Sequence, residues 1–162
     1  MARVVVVLLL LLTCAVAGRA AAGEARSAAP SPCRAPARVA PTILPVWARD
    51  GFSDPKPRMP FRLGKAGRIG AILWADPLRS PPPRNHTNKI LWVSSAPVTA
   101  GSDLRIAAQR MSGTRRLGAP VFRRVMGGPG PSIVNLPRAG CWRLTLRWSR
   151  SVDSLDLTYV AR

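Results

Sequence analysis

The stretch GCWRLTLRW (Gly140–Trp148) alternates without a break, with Trp142, Leu144, Leu146 and Trp148 in one phase and Cys141, Arg143, Thr145 and Arg147 in the other. A period of two sends successive side chains to opposite faces of a β-strand. Further along, Leu155, Leu157 and Tyr159 alternate with Ser154, Asp156 and Thr158. The two segments therefore read as a C-terminal β-hairpin with one apolar and one polar face. Across the polar face, Arg143 or Arg147 can pair with Asp156, a contact worth no more than about 1 kcal/mol.

Strand signals recur upstream of the hairpin. Arg68 to Ala75 carries Ile69, Ala71 and Leu73 in one phase and Ile72 and Trp74 in the other. Lys89 to Ser94 (KILWVS) is a continuous apolar run, the pattern of a strand covered on both faces. Asp103 to Met111 sends Leu104, Ile106 and Ala108 inward and Arg105, Ala107 and Gln109 outward, and Ser112-Gly113-Thr114 then turns the chain. A short strand is expected at Pro120 to Val125, and another at Ser132 to Leu136 after the MGGPGP loop. Val39 to Trp47 reads as one short strand, confined to a sheet edge by Pro41 and Pro45. Gly51 to Pro60 and Asp76 to Asn88 read as loops. No amphipathic helix of useful length stands out. Many short strands joined by Pro/Gly connectors argue for an all-β chain folded as a β-sandwich.

The N-terminus has the order of an export signal: Arg3, an apolar run from Val4 to Leu12, then small residues. Cleavage after Ala17 or Ala20 fits the small-residue pattern. Leu11-Leu12-Thr13-Cys14 is a degenerate lipobox, which leaves a lipid anchor on Cys14 as the alternative. The organisation expected is a signal peptide over 1–20, a mobile Pro/Ala-rich leader over 21–32 and the β-sandwich over 33–162. The apolar run is too short to cross a bilayer, and no other run of that kind follows, so no transmembrane domain is expected in the mature chain. Export places the protein in the medium or at the cell envelope.

Charge is strongly unbalanced, with 25 Lys+Arg against 7 Asp+Glu. Such a balance favours acidic partners, among them nucleic acid, a membrane surface and anionic envelope polymers. Lysine is scarce and Ala, Pro, Gly and Arg abundant, the composition that a GC-rich genome writes. Codon bias explains arginine over lysine but not the scarcity of acids. The basic residues cluster as Arg115-Arg116, Arg123-Arg124 and the pair Arg143/Arg147, which can share one strand face. If Arg105 lies on a neighbouring strand of that sheet, a basic face forms. Specific recognition of a nucleic acid would also call for exposed aromatics beside it. Trp92, Trp142, Trp148 and Tyr159 read as core, and Trp47 and Trp74 as the partly exposed aromatics.

With Cys14 in the signal or lipidated, Cys33 and Cys141 remain. A pair of cysteines in an exported protein reads most simply as a disulfide, closing a loop of about 108 residues. The alternatives are two free thiols or a nucleophilic cysteine. A nucleophile would want a base nearby, and the chain has one histidine, His86, in a proline-flanked loop.

The ending LPRAGCWRLTLRW…SLDLTYV, with PSIVNLP before it and NKILWV further upstream, resembles an uncharacterised group of small exported proteins of actinobacteria and their relatives. That group has an N-terminal cysteine, a central Lys-x-Leu-Trp-Val strand and a closing Pro-Gly-Cys-Trp hairpin. Lys89, Leu91, Trp92 and Val93 match the central motif; Cys141 and Trp142 match the closing one, with Ala139-Gly140 in place of Pro-Gly. The resemblance covers roughly residues 33–160. It implies an immunoglobulin-like sandwich and the Cys33–Cys141 link, and it implies no activity.

Catalytic and metal chemistry find little support in the residues. A single histidine without Cys, His or carboxylate neighbours cannot build an N/S-rich metal site, and Met59, Met111 and Met126 are scattered. Asp50, Asp54, Asp76 and Asp103 stand in turn contexts, and no Gly-x-Ser-x-Gly or phosphate loop occurs. Asn85-His86-Thr87 fits the glycosylation acceptor pattern. The expectation is therefore a non-catalytic β-sandwich module of the cell envelope, without metal or cofactor. The alternatives are a polyanion-binding module using Arg105, Arg115, Arg116, Arg123, Arg124, Arg143 and Arg147, and a lipoprotein anchored through Cys14.

Overall fold

The computed structural model describes residues 32–162; the expected signal, Cys14 and nearly all of the expected leader lie outside them. Ten strands form: β1 (Pro41–Ile43), β2 (Arg58–Leu63), β3 (Ile69–Leu73), β4 (Leu78–Arg79), β5 (Lys89–Ser94), β6 (Leu104–Ser112), β7 (Arg115–Val125), β8 (Pro131–Ile133), β9 (Gly140–Trp148) and β10 (Ser151–Val160). They assemble into two five-stranded sheets. Sheet I has the order β1-β2-β3-β5-β8, and sheet II the order β4-β10-β9-β6-β7. All pairings are antiparallel except the short one between β4 and β10. The all-β expectation holds, and the two layers enclose one core, as in a β-sandwich.

The alternating phases face each other across the interior. Ile69, Ala71 and Leu73 of β3 and Ile90 and Trp92 of β5 meet Leu104, Ile106 and Ala108 of β6, Leu144 and Leu146 of β9, and Leu155 and Leu157 of β10. The expected core aromatics Trp92, Trp142, Trp148 and Tyr159 are all buried. Each also satisfies its polar atom, the condition for burying such a ring cheaply. The Trp92 indole donates to Ser132 Oγ (2.9 Å), Trp148 to Ser94 Oγ (3.0 Å) and Trp142 to the Arg138 carbonyl (2.9 Å), while Tyr159 Oη donates to the Val134 carbonyl (2.7 Å).

Sheet I is apolar on its outer face too. Ile72, from the opposite phase of β3, packs with Leu44 and Ala48, and Trp47, Phe52, Met59, Phe61, Leu91 and Val93 surround them. Residues 44–52 form a cover that includes a single 3-10 turn at Val46–Ala48. Trp47 meets Phe61 edge to face at 6.1 Å. The edge position expected for the Val39–Trp47 strand is correct, although only Pro41–Ile43 is extended.

Several segments depart from the sequence reading, among them the strand expected at Ser132–Leu136, which is extended only over Pro131–Ile133. Arg58–Pro60, read as the end of a loop, begins β2, where Pro60 sits opposite Pro41. The Asp76–Asn88 loop is not solvated throughout. Its Leu78, Ser80 and Asn88 are buried, and Asn88 brackets Arg79 by accepting from its N–H (2.8 Å) and donating to its carbonyl (2.8 Å). The strand expected at Pro120–Val125 extends back to Arg115, giving an eleven-residue edge strand.

One tie holds the layers in register, and another fastens the N-terminal segment to sheet II. Asp153, buried and in phase with Leu155, accepts from the backbone N–H groups of Ala66 (2.8 Å), Arg68 (2.9 Å) and Ser154 (2.7 Å), pinning the β2–β3 turn of sheet I to β10 of sheet II. A Cβ at position 64 would overlap the Asp153 carboxylate, which is why glycine stands there. The second tie is the Cys33–Cys141 disulfide, with Cα atoms 6.1 Å apart. It agrees with the pairing expected from the sequence and is compatible with an extracytoplasmic location. Among the described residues no helix is long and apolar enough to cross a membrane.

Candidate anion-binding face

The outer face of sheet II is covered at one end only, where Cys33 bonds Cys141 and donates its N–H to the Gly113 carbonyl and Thr158 Oγ1 donates to the Ala35 carbonyl. Its out-facing residues follow from the alternation: Phe122 and Arg124 on β7, Arg105, Ala107 and Gln109 on β6, Cys141, Arg143, Thr145 and Arg147 on β9, and Val152, Ser154, Asp156 and Thr158 on β10. The register sorts them into rows. Arg124 pairs with Arg105, Arg105 with Arg147, and Arg147 with Val152. The next row is Phe122, Ala107, Thr145 and Ser154. A third contains Gln109, Arg143 and Asp156.

The first row stands three arginines abreast on adjacent strands, with neighbouring Cα atoms about 5 Å apart. Like charges directly opposite on a sheet repel and cost stability, so such a row is not a fold-stabilising feature. Asp103 compensates the row at one end, through an ion pair with Arg124 and a longer-range attraction to Arg105. Arg105 and Arg147 are exposed and form no ion pair among the described residues. Asp103 itself is held below the usual carboxylate range. The Gly127 N–H from which it accepts (3.0 Å) is the main cause; desolvation opposes it, and Arg124 and then Arg105 add to the lowering.

Two clefts flank the Arg105/Arg147 pair. One, of about 510 Å³, is floored by Ala107 and Thr145 and walled by Phe122 and Arg124. The other, of about 530 Å³, runs to the β9–β10 turn and includes Ser102, Ser149, Arg150 and Ser151. That turn is fixed from outside. Ser149 adopts φ 47°, a left-handed conformation that costs a non-glycine residue energy. It is held there by its N–H donating to Ser102 Oγ (2.7 Å) and by its own Oγ accepting from the Thr99 N–H (2.8 Å). Arg150 is thereby presented beside the arginine row.

The seven arginines singled out from the sequence separate by role. Arg105, Arg124 and Arg147 come together as the row. Arg143 lies on the same face but grips Asp156 with both Nε (2.8 Å) and Nη2 (2.9 Å); this contact chiefly raises its pKa further, and it is the cross-strand ion pair the sequence allowed. Arg123 points to the opposite side of β7 and donates from Nε (3.1 Å) and Nη2 (2.8 Å) to the Asn135 carbonyl, a structural clamp. Arg115 and Arg116 sit at the β6–β7 turn, opposite Ser112 and Met111, roughly 20 Å along the strands from Arg105. The sequence reading missed Arg150 and Phe122. The signal for Phe122 was its spacing of two from Arg124, which puts both on one face.

The remaining chemistry is dispersed. Asp76 accepts from the Val39 N–H (3.0 Å) in a cleft beside Trp74, whereas Asp103 borders the arginine row, so the two carboxylates line different clefts. Trp74 is half-exposed as expected, stacked on Phe52 and approached by Lys89 Nζ at 5.2 Å. His86 Nε2 lies 3.3 Å from Asn88 Oδ1. Among the described residues no three His, Cys, Asp or Glu gather as a metal site would need. Comparison of the chain with protein-family models, with curated proteins and with solved structures finds no match.

Proposed function

We propose that this protein is an exported, non-catalytic β-sandwich module, immunoglobulin-like in kind and related to the small exported proteins with a GCW hairpin, that binds an anionic polymer on the outer face of sheet II. The observation that carries this reading is the row Arg124–Arg105–Arg147. It is a like-charge ladder that the fold does not need, and its three side chains stay exposed. A ligand with closely spaced negative charges turns the repulsion within the row into attraction, and phosphate or sulfate oxygens match the guanidinium donors. The excess of basic over acidic residues adds a long-range pull on the same ligand.

Export is supported by the Arg3/Val4–Leu12 signal pattern and by the disulfide. The Cys14 lipobox gives the second reading of localisation, a module anchored at the envelope. The intact mass of protein recovered from medium and from membranes separates the two.

Binding is tested by fluorescence anisotropy with end-labelled inorganic polyphosphate over a salt series. Neutralising three to four charges gives a slope of log affinity against log salt near −2 to −3. Replacing Arg105 and Arg147 together by alanine is expected to flatten the slope by roughly 1.4. A wild-type affinity indifferent to salt, or a slope unchanged in the double variant, would contradict the proposal.

A further inference from the structure

Phe122 stands on the open face with 69% of its surface exposed, the largest exposure of any aromatic side chain among the described residues. A solvent-facing phenyl ring contributes nothing to the core. It takes part in no ring pair, whereas Trp47, Phe52, Phe61 and Trp74 each do. Its cross-strand neighbours are small: Ala107 directly opposite and Thr145 beyond, both flooring the cleft that Phe122 walls. One residue pair along the strand begins the arginine row. A flat ring laid over Ala107 would thus meet Phe122 at its side and guanidinium groups at its end.

We infer that the polymer held on this face is a single-stranded polynucleotide, one of whose bases stacks on Phe122 while its phosphates lie along Arg105, Arg124 and Arg147. The inference rests on the anion-binding reading of the same face. Three features favour this occupant. Every base offers a π-face, so one aromatic beside a basic track suffices for sequence-tolerant binding. A duplex keeps its bases stacked inside and offers Phe122 no ring without local unstacking. An anionic glycan brings hydroxyl groups that donate as well as accept, whereas the row supplies donors, and its one nearby carboxylate, Asp103, is already taken by Arg124 and the Gly127 N–H.

The test compares three end-labelled probes by anisotropy at one low salt concentration: an oligothymidylate of about 12 nucleotides, an abasic deoxyribose-phosphate oligomer of equal length, and a linear glycerol-phosphate polymer. The oligothymidylate is expected to bind at least roughly fivefold more tightly than the abasic oligomer. Phe122→Ala should close that gap while leaving abasic affinity unchanged, and Phe122→Trp should restore it. Because Phe122 lies outside the core, an unchanged thermal midpoint accompanies both variants. Equal affinity for the two oligomers, or a gap that survives Phe122→Ala, overturns the inference while the anion-binding reading stands. Tighter binding of the glycerol-phosphate polymer overturns it in favour of an envelope polymer. Failure of all three probes to bind removes both readings.

Discussion

Sheet I turns Ile72, Leu91 and Val93 outward and receives a cover built from Leu44, Trp47 and Ala48, whereas sheet II turns Arg105, Thr145 and Arg147 outward and is met by the N-terminal segment only at its Cys141 and Thr158 end. The difference is written strand by strand in the second phase of the alternation. β3 is buried at all five positions, so a layer is needed on both of its sides. β6 and β9 alternate buried and accessible residues, which leaves one of their sides to water. An apolar outer face draws chain onto itself because burial of apolar surface is favourable. A charged one does not, and it remains available to a partner. The disulfide joins the two regimes: Cys33 starts the segment that becomes the cover of sheet I, and Cys141 lies on the outer face of sheet II where that segment begins.

The strongest way to break this contrast is to release that segment. Replacing Cys33 and Cys141 together by serine, or reducing the native protein, is expected to lower stability by up to about 4.7 kcal/mol on chain-entropy grounds. Denaturant midpoints with and without reductant check it. A change below about 1 kcal/mol would mean that the cover holds itself in place without the staple.

Next in size is Leu44→Ala. Leu44, in the cover, is fully buried against Ile72, and truncation of such a side chain costs about 2–5 kcal/mol. The matching change on the open face, Thr145→Ala, should stay within about 0.5 kcal/mol. Equal costs at the two positions would erase the distinction between a covered and an open face.

The core between the faces supplies a pH-dependent measurement. Burial raises the Tyr159 hydroxyl well above its ordinary value. With a folded pKa above the unfolded one, the unfolded chain loses its proton first. Stability from this group is therefore intact below about pH 10 and falls as the pH rises beyond it, by up to roughly 1.4 kcal/mol per unit. The chain has a single tyrosine, so Tyr159→Phe should flatten the difference between melts at pH 9 and pH 11 relative to the wild type.

The smallest effect has an unusual sign. Arg105 stands between Arg124 and Arg147, and Arg105→Ala should raise stability by about 0.2–1 kcal/mol through relief of cross-strand repulsion, while weakening polyphosphate binding. A residue whose loss stabilises the fold and impairs binding is the signature expected of a ligand contact. Loss of stability in that variant would assign the row a structural role instead.

Much of this fold is legible in the sequence because period-two alternation survives in β9 and β10 and through Ala108 of β6. The doubly apolar run of β5 likewise announces a strand covered on both sides. β2 is hidden although Met59, Phe61 and Leu63 alternate with Arg58, Pro60 and Arg62, because Pro60 interrupts the run and a Pro- and Asp-rich loop precedes it. β4 is hidden because two residues carry no period at all. Asp153 escapes notice for the opposite reason: it is polar in the core phase of β10, and only the folded β2–β3 turn reveals the N–H groups it serves.

The site is legible in part. Arg143 and Arg147 share a face by spacing alone, and Arg105 joins them only once β6 is known to neighbour β9. Arg123 and Arg124 look equivalent as a dipeptide, yet one step of strand phase sends one to a structural carbonyl and the other to the row. Phe122 becomes a site residue only when the register shows what lies across from it.

The most direct measurement is a backbone-amide chemical-shift map of the full mature protein titrated with inorganic polyphosphate. The account predicts shifts concentrated at Arg105, Ala107, Thr145, Arg147 and the Ser149–Ser151 turn, with Ile72, Phe61 and Leu91 beneath the cover undisturbed. Shifts centred on Arg115 and Arg116, or spread equally over both sheets, would contradict it.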